Sequence, residues 1–364
     1  MTFRQKLQLE LNRQLVLDAQ KTHPLRQLFW ECTLRCNMNC RHCGSDCKAD
    51  SVLPDMPFED FRKVLVKVKD RYGSHKINIT LSGGEPLMRP DLAECAREIY
   101  DMEFPWGLVS NGWLMTPSRI EDLLGAGLHG ATISLDGLQP EHDWMRGREH
   151  CYERATEAIK ILAAEPEIGF DVVTCVNRKN IGQLDQIKNL LLSLGVKQWR
   201  LFTVFPAGRA KNDPMLQLQG EEFKQLMEFI CKCRKEGEIR ASYGCEGFLG
   251  PYEGKVRDHI FTCQAGLTVA SVLADGSISA CGSIRSDFHQ GNIYKDDFID
   301  VWENRFQPFR DKEWAKTGRC GNCRWWRYCQ GGGMHLRGEN RELMLCHLID
   351  YSSSSGCGPR RGRN

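Results

Sequence analysis

Residues 77–112 read INITLSGGEPLMRPDLAECAREIYDMEFPWGLVSNG. An apolar run rich in β-branched residues, beginning at Ile77, ends in SGGEP. A proline-led stretch with apolar residues at helical spacing follows, PDLAECAREIYDM (90–102). A second apolar run, PWGLVSNG (105–112), then ends in another polar, glycine-containing turn. The separation between the two runs is too long for a hairpin. Strand, helix and strand in this order imply a crossover between parallel strands.

The rhythm extends on both sides. LRQLFWEC (25–32) precedes it, and ATISLDG (131–137), FDVVTCVN (170–177) and WRLFTVFP (199–206) follow. Helical patterns lie between most of these runs: PFEDFRKVLVKVKDRYG (57–73), PSRIEDLLGAG (117–127), YERATEAIKILAAE (152–165) and IGQLDQIKNLLLSLG (181–195). Prolines open several of them and glycines close several, as the chemistry of helix ends favours. Six strand units predict an α/β fold with a parallel sheet, either a partial barrel or an open doubly wound sheet. Polar motifs stand at the C-terminal end of nearly every strand: a cysteine loop, SGGEP, SNG, SLDG, VNRKN and FPAGRA. In a barrel these ends converge on one mouth, whereas an open sheet uses mainly the ends at its switch point. A partial (β/α)6 barrel is therefore expected over residues 25–215.

Residues 1–24 carry Phe3, Leu7, Leu11 and Leu15 at helical spacing, which predicts an amphipathic helix packed on a core. After the barrel, EEFKQLMEFICKCRKEG (221–237) predicts a linking helix within 216–240. Residues 241–350 form a small cysteine-rich α+β domain of short strands and many glycines. Residues 351–364, with SSSSGCG before PRRGRN, are expected to be a flexible tail.

The 364 residues hold 49 Lys+Arg against 47 Asp+Glu, a net charge of +2 that supplies no basic field for nucleic acid. The N-terminus is charged throughout, unlike a signal peptide. No apolar run approaches the length of a membrane span. A cytoplasmic protein with no membrane partner is expected. In that compartment eighteen cysteines point to metal rather than to disulfides. Cys95, Cys151, Cys231 and Cys233 lack ligand spacing and read as small buried hydrophobes.

The loop CTLRCNMNCRHC (32–43) sets Cys36, Cys40 and Cys43 in a C-x3-C-x2-C spacing. A 4Fe–4S cluster usually takes four thiolates, so three leave one iron open. Structural zinc wants four closed ligands, and Cys32, Cys47 or His42 is available to complete such a site. Downstream stand Cys263, Cys281, then CGNCRWWRYC (320–329) with Cys320, Cys323 and Cys329, and finally Cys346. The last four also have spacing that suits structural zinc.

The cysteine loop after the first strand, GGEP after the second and SLDG after the fourth together resemble the radical S-adenosylmethionine (radical SAM) superfamily, over residues of roughly 25–210. The resemblance implies that the open iron is chelated by the amino and carboxylate groups of S-adenosylmethionine. It assigns Cys36, Cys40 and Cys43 to the cluster, and Gly83, Gly84 and Glu85 to the methionine amino group. His42 takes the aromatic position beside the adenine. Ser110, Asn111 and Ser134 face the methionine moiety or ribose, and Arg146 or Arg154 pairs with the carboxylate. The C-terminal part, including GNIYKDDFIDVWEN (291–304), resembles the SPASM extension with its auxiliary 4Fe–4S clusters. On that resemblance Cys320, Cys323, Cys329 and Cys346 form one complete auxiliary cluster. A second auxiliary site departs from the pattern, because Gly333, in CQGGGM, stands where the family has a cysteine. Cys263 and Cys281 then need a partner. Cys245, in YGCEGF, is the first candidate and His335 the weaker one. An iron left open there is expected to bind a substrate cysteine.

The activity implied is reductive cleavage of S-adenosylmethionine to a 5′-deoxyadenosyl radical, which abstracts hydrogen from a peptide or protein. Thioether or carbon–carbon crosslinks, or side-chain oxidation, would result. Gly282 after Cys281, where an aspartate base is the pattern, argues against sulfatase maturation. The segment before the barrel is too short for a leader-binding domain, so leader recognition is expected to be minimal or supplied by another protein. The alternative is a haem precursor or other small cofactor intermediate, because GNCRWWRYCQGG is also similar to proteins of modified-haem synthesis. A non-enzymatic iron–sulfur electron carrier is disfavoured by GGEP and SLDG, since a carrier needs no nucleotide pocket. A flavodoxin or ferredoxin is the expected electron donor.

Overall fold

The computed structural model describes residues 3–284, 288–338, 340–348 and 350; the expected tail, 351–364, lies outside them. The six anticipated strands form: β1 (Gln27–Thr33), β2 (Asn78–Gly83), β3 (Trp106–Ser110), β4 (Leu128–Ser134), β5 (Gly169–Val176) and β6 (Gln198–Thr203). They pair in parallel and in sequence order. The anticipated helices lie between them, as α2 (Phe58–Tyr72), α3 (Leu92–Asp101), α4 (Pro117–Gly125), α6 (Cys151–Ala163) and α7 (Leu184–Ser193). A further helix, α5 (Gln139–Arg146), follows SLDG. Its eight polar-rich residues carry too little apolar periodicity to announce it.

Alternation along the strands sorts the side chains into two sets. Leu28, Trp30, Ile79, Leu81, Trp106, Leu108, Ile133, Trp199 and Leu201 are buried toward the helices. The Trp30 ring stacks on Phe61 of α2 at 4.7 Å. Residues of opposite parity, Phe29, Glu31, Ser82, Val109, Thr132, Ser134, Val173, Arg200 and Phe202, line one cavity of about 1060 Å³. All six strands reach that cavity, which requires the sheet to curl around it as a partial barrel.

The sheet continues past the sixth strand. Helix α8 (Gly220–Glu236) leads to β7 (Arg240–Tyr243), which pairs in parallel with β6. At the other edge β8 (Val269–Val272) pairs in parallel with β1, and β9 (Ser277–Ser279) and β10 (Gly291–Asn292) follow antiparallel. The short helices α9 (Phe298–Asn304), α10 (Gln307–Arg310) and α11 (Trp326–Cys329) follow.

The N-terminal helix α1 (Phe3–Thr22) forms, but its seat differs from the expectation. Phe3, Leu7, Leu11 and Leu15 are 84 %, 50 %, 59 % and 70 % exposed, and only Leu9 is buried. Leu9 packs with Phe248 and Phe261. Polar contacts hold the rest: Glu10 accepts from Arg327 and Tyr328 of α11, and Asn12 donates to Thr262 at 3.2 Å. The surface offered to the helix carries these donors, so hydrogen bonding rather than the apolar stripe selects the covered face.

Candidate active site

The first cysteine loop is shaped by backbone contacts before any ligand binds. Asn39 and Arg41 amides donate to the carbonyls of Arg146 and Met145 at the end of α5, at 3.1 and 2.9 Å. The Cys36 amide donates to Lys48, and the Arg209 amide to the Cys43 carbonyl, at 2.8 and 3.1 Å. The loop thereby brings Cys36, Cys40 and Cys43 into one cluster with Cys47 and Cys151. Burial pushes the Cys36 thiol up to about 12. Burial also raises Cys40, against the opposing influence of Arg146. The Cys47 thiol donates to the Cys43 sulfur, which favours the Cys43 thiolate.

GGEP is set against this loop at close quarters. A Cβ at Gly84 would collide with the Arg35 carbonyl oxygen, so glycine is demanded by the chain's own backbone as well as by any ligand. The Glu85 carboxylate is buried and ties two strand ends together. It accepts from the Ser110 hydroxyl at 2.9 Å, the Asn111 amide at 2.8 Å and the Leu87 amide at 3.3 Å. The Asn111 side chain reaches Asn37 at 2.8 Å and the Cys36 sulfur at 4.0 Å. Glu85, Ser110 and Asn111 are thus brought together beside the cysteine loop, while Gly83 and Ser134 open onto the cavity.

Burial raises the Glu85 carboxyl to about 7 from an ordinary 4.5, against the hydrogen bonds that lower it. The unfolded chain ionises from about pH 4.5 while the folded one stays protonated, so stability falls as pH rises through that window and levels above about 7. Glu85→Gln removes this dependence. The melting temperature of wild type minus that of the variant should therefore decrease from pH 4.5 to 7 in metal-free protein. A difference flat with pH would contradict it.

The two candidate arginines separate. Arg154 is exposed and pairs with Glu157 at 3.6 Å, so it is not brought to the site. Arg146 is buried, pairs with Asp136 of SLDG at 2.7 Å and donates to the Cys40 sulfur at 3.7 Å. Burial would raise Asp136, yet Arg146 beside it holds its carboxyl below the usual range. His42, within the loop, has a ring nitrogen that lies with an Asp136 oxygen and the Cys175 sulfur all within 4.8 Å of one another. Its Nδ1 is buried without a partner, and burial lowers the imidazole to about 4. Asp136 and Cys175 were missed from the sequence. The aspartate inside SLDG, ten residues before Arg146, was the available signal.

In the C-terminal part Cys320, Cys323, Cys329 and Cys346 all border one cavity of about 820 Å³. Burial, reinforced by the other three thiols, pushes Cys329 up to about 12. Cys245 stands near Cys281 and Cys263. Its thiol is exposed on the main cavity, as Cys281 and His335 are in part. Of the scattered cysteines, Cys95, Cys151 and Cys233 are buried and Cys231 is half-buried.

The spacing of the donor atoms bears on the choice between zinc and iron–sulfur clusters. Tetrahedral zinc with bonds of about 2.3 Å needs sulfurs roughly 3.8 Å apart. Among the described residues, the one group of three candidate ligand atoms within 4.8 Å of one another is that of His42, Asp136 and Cys175. No group of three cysteines meets that spacing among the described residues.

Comparisons with known proteins agree. The family model of the radical SAM superfamily matches residues 30–191, and that of the SPASM iron–sulfur cluster-binding domain matches 263–324. An AdoMet-dependent heme synthase of Methanosarcina barkeri is 28 % identical over 328 residues, covering 85 % of this chain and 91 % of that protein. The mycofactocin maturase MftC of Mycobacterium tuberculosis is 29 % identical over 339 residues, covering 88 % and 83 %. The structure of Streptococcus suis SuiB bound to S-adenosylmethionine superposes with a TM-score of 0.68 at 16 % identity, over 86 % of this chain and 75 % of that one. No helix among the described residues is long and apolar enough to cross a membrane. Residues 30–191 thus form a radical SAM domain and residues 263–324 a C-terminal SPASM domain, with 4Fe–4S clusters and S-adenosylmethionine as their cofactors.

Proposed function

We propose that this radical SAM enzyme modifies a peptide by hydrogen abstraction, with Cys36, Cys40 and Cys43 as the ligands of the S-adenosylmethionine-binding cluster. One observation carries the reading. A single cavity of about 1060 Å³ runs from Gly44, Ser45, Gly83 and Ser134, beside the cysteine loop, to Cys245 and Cys281. A substrate lying in it touches both ends. When bound, the cluster and cosubstrate supply one-electron cleavage to a hydrogen-abstracting carbon radical.

The chain's own residues shield and orient. Phe29, Val109, Val173 and Phe202 give the cavity apolar walls that exclude water. Arg200 is anchored to Asp171 and, through Nη2 at 3.0 Å, to Thr132, which sets its guanidinium to meet a substrate carboxylate. Gly83, Gly84 and Asn111 are assigned to the methionine moiety, Ser134 to the ribose and His42 to the adenine side. Arg146 is assigned to the cluster thiolate Cys40 rather than to the cosubstrate carboxylate. Lys211, Asn212 and Asn340 border the same cavity, where an extended peptide can enter. Similarity to a maturase supports the peptide class.

A haem precursor is the second reading, favoured by similarity to the heme synthase and by Arg200, Lys211 and Arg337, cations that line the cavity and suit propionates. Reduced holoenzyme should be assayed anaerobically for 5′-deoxyadenosine with short cysteine- and tyrosine-containing peptides and with a propionate-bearing iron porphyrin. The first reading expects a peptide mass change with stimulated 5′-deoxyadenosine. Stimulation by the porphyrin alone would replace it with the second.

A further inference from the structure

The auxiliary site around Cys263 and Cys281 lacks a thiolate at position 333, and the backbone explains why. A Cβ on Gly333 would stand 2.7 Å from the Glu246 carbonyl oxygen and 2.7 Å from Cε1 of His335. A cysteine cannot enter there without displacing one of them. The His335 ring fills the space toward which a side chain at 333 would point.

The turn that carries that ring touches one of the site's thiols and shares a cavity with the other two. The ring belongs to the turn Met334–Leu336, whose first amide, from Met334, donates to the Cys263 sulfur at 3.4 Å. It borders the same cavity as Cys245 and Cys281, with Phe205 packed against it at 5.2 Å. Its nitrogens make no hydrogen bond among the described residues, although Arg200, Glu246 and His347 are all near the site. No three of these ligand atoms approach within 4.8 Å, so a single metal ion is not what the set encloses.

We propose that His335 is the fourth ligand of this auxiliary centre, holding an iron–sulfur cluster together with Cys245, Cys263 and Cys281. The proposal rests on the reading of those three thiols as an iron–sulfur site. It closes the iron that three thiolates would leave open, so the centre exchanges electrons instead of binding a substrate cysteine. A neutral imidazole in place of a thiolate also makes the cluster less negative and raises its potential, as histidine ligation does elsewhere.

Pulsed paramagnetic resonance of the reduced holoenzyme, without S-adenosylmethionine and grown with 15N-histidine, tests the ligand directly. A strongly coupled nitrogen that changes with the label, and is lost in His335→Gln, is expected. The wild-type measurement decides even if the variant folds poorly. Absence of any histidine nitrogen coupling overturns the proposal, as does a shift of the auxiliary signal on adding 2-mercaptoethanol, the mark of an open iron. Iron counting in Cys245→Ser separates the levels. Lost iron supports the site, whereas unchanged iron overturns the site and the proposal together.

Discussion

A variant with Cys36, Cys40 and Cys43 all changed to Ala should form no 5′-deoxyadenosine above the enzyme-free control and should lose one 4Fe–4S cluster's worth of iron. The loop that carries the three thiols is held by backbone hydrogen bonds that it donates to α5 and accepts from Arg209, so removing the sulfurs leaves its shape supported. The loss should therefore be of iron and chemistry, with the auxiliary clusters retained. Elemental analysis and chromatography of the reaction products check both parts. Residual cleavage of S-adenosylmethionine would remove these residues from the cluster. In the metal-free protein burial keeps Cys36 and Cys40 protonated. Cluster insertion must release those protons, so reconstitution should run further at pH 8.5 than at pH 6.5.

Arg146→Met should cost about 3–5 kcal/mol of stability, because it strands the fully buried Asp136 carboxylate without its cation. The Asp136 carboxylate would keep the Cys175 amide, at 2.8 Å, as a partner, which cannot neutralise a charge. Adding Asp136→Asn to the same protein removes the stranded charge and should recover a large part of the loss. Denaturant unfolding of the two singles and the double closes the cycle. Additive losses would mean that the pair is not coupled. The single variant should also shift the potential of the first cluster downward, since the guanidinium that donates to the Cys40 sulfur favours the reduced, more negative state.

The barrel was legible because each strand carries its own evidence: a short apolar run, a polar motif at its end and a helical stretch behind it. Alternation within the runs even separates cavity residues such as Phe29 and Arg200 from buried ones such as Trp30 and Leu201. The spacing of the cysteine loop pointed to a metal centre and left zinc and cluster both open, and the resemblance chose between them. Other features depend on partners that spacing cannot reveal. Phe3, Leu7, Leu11 and Leu15 define a helix, but which side is covered is set by Arg327 and Tyr328, some three hundred residues away. Arg146 and Arg154 are alike in sequence, and only the short helix α5 turns the first inward. Gly333 looked like a vacancy, while the structure shows a crowded position beside His335 and Glu246.

The pairing of β8 with β1 makes the order of synthesis matter. Gln27–Trp30 leave the ribosome early, yet one edge of that strand bonds to Val269–Val272, which are made more than two hundred residues later. Until then β1 presents free amides and carbonyls on that side, the condition under which strands recruit the wrong neighbour. Contacts of such sequence separation also slow the final closure. Chains interrupted between residues 215 and 265 should thus aggregate through β1, and the yield of native protein should depend on how fast the last third of the chain is delivered.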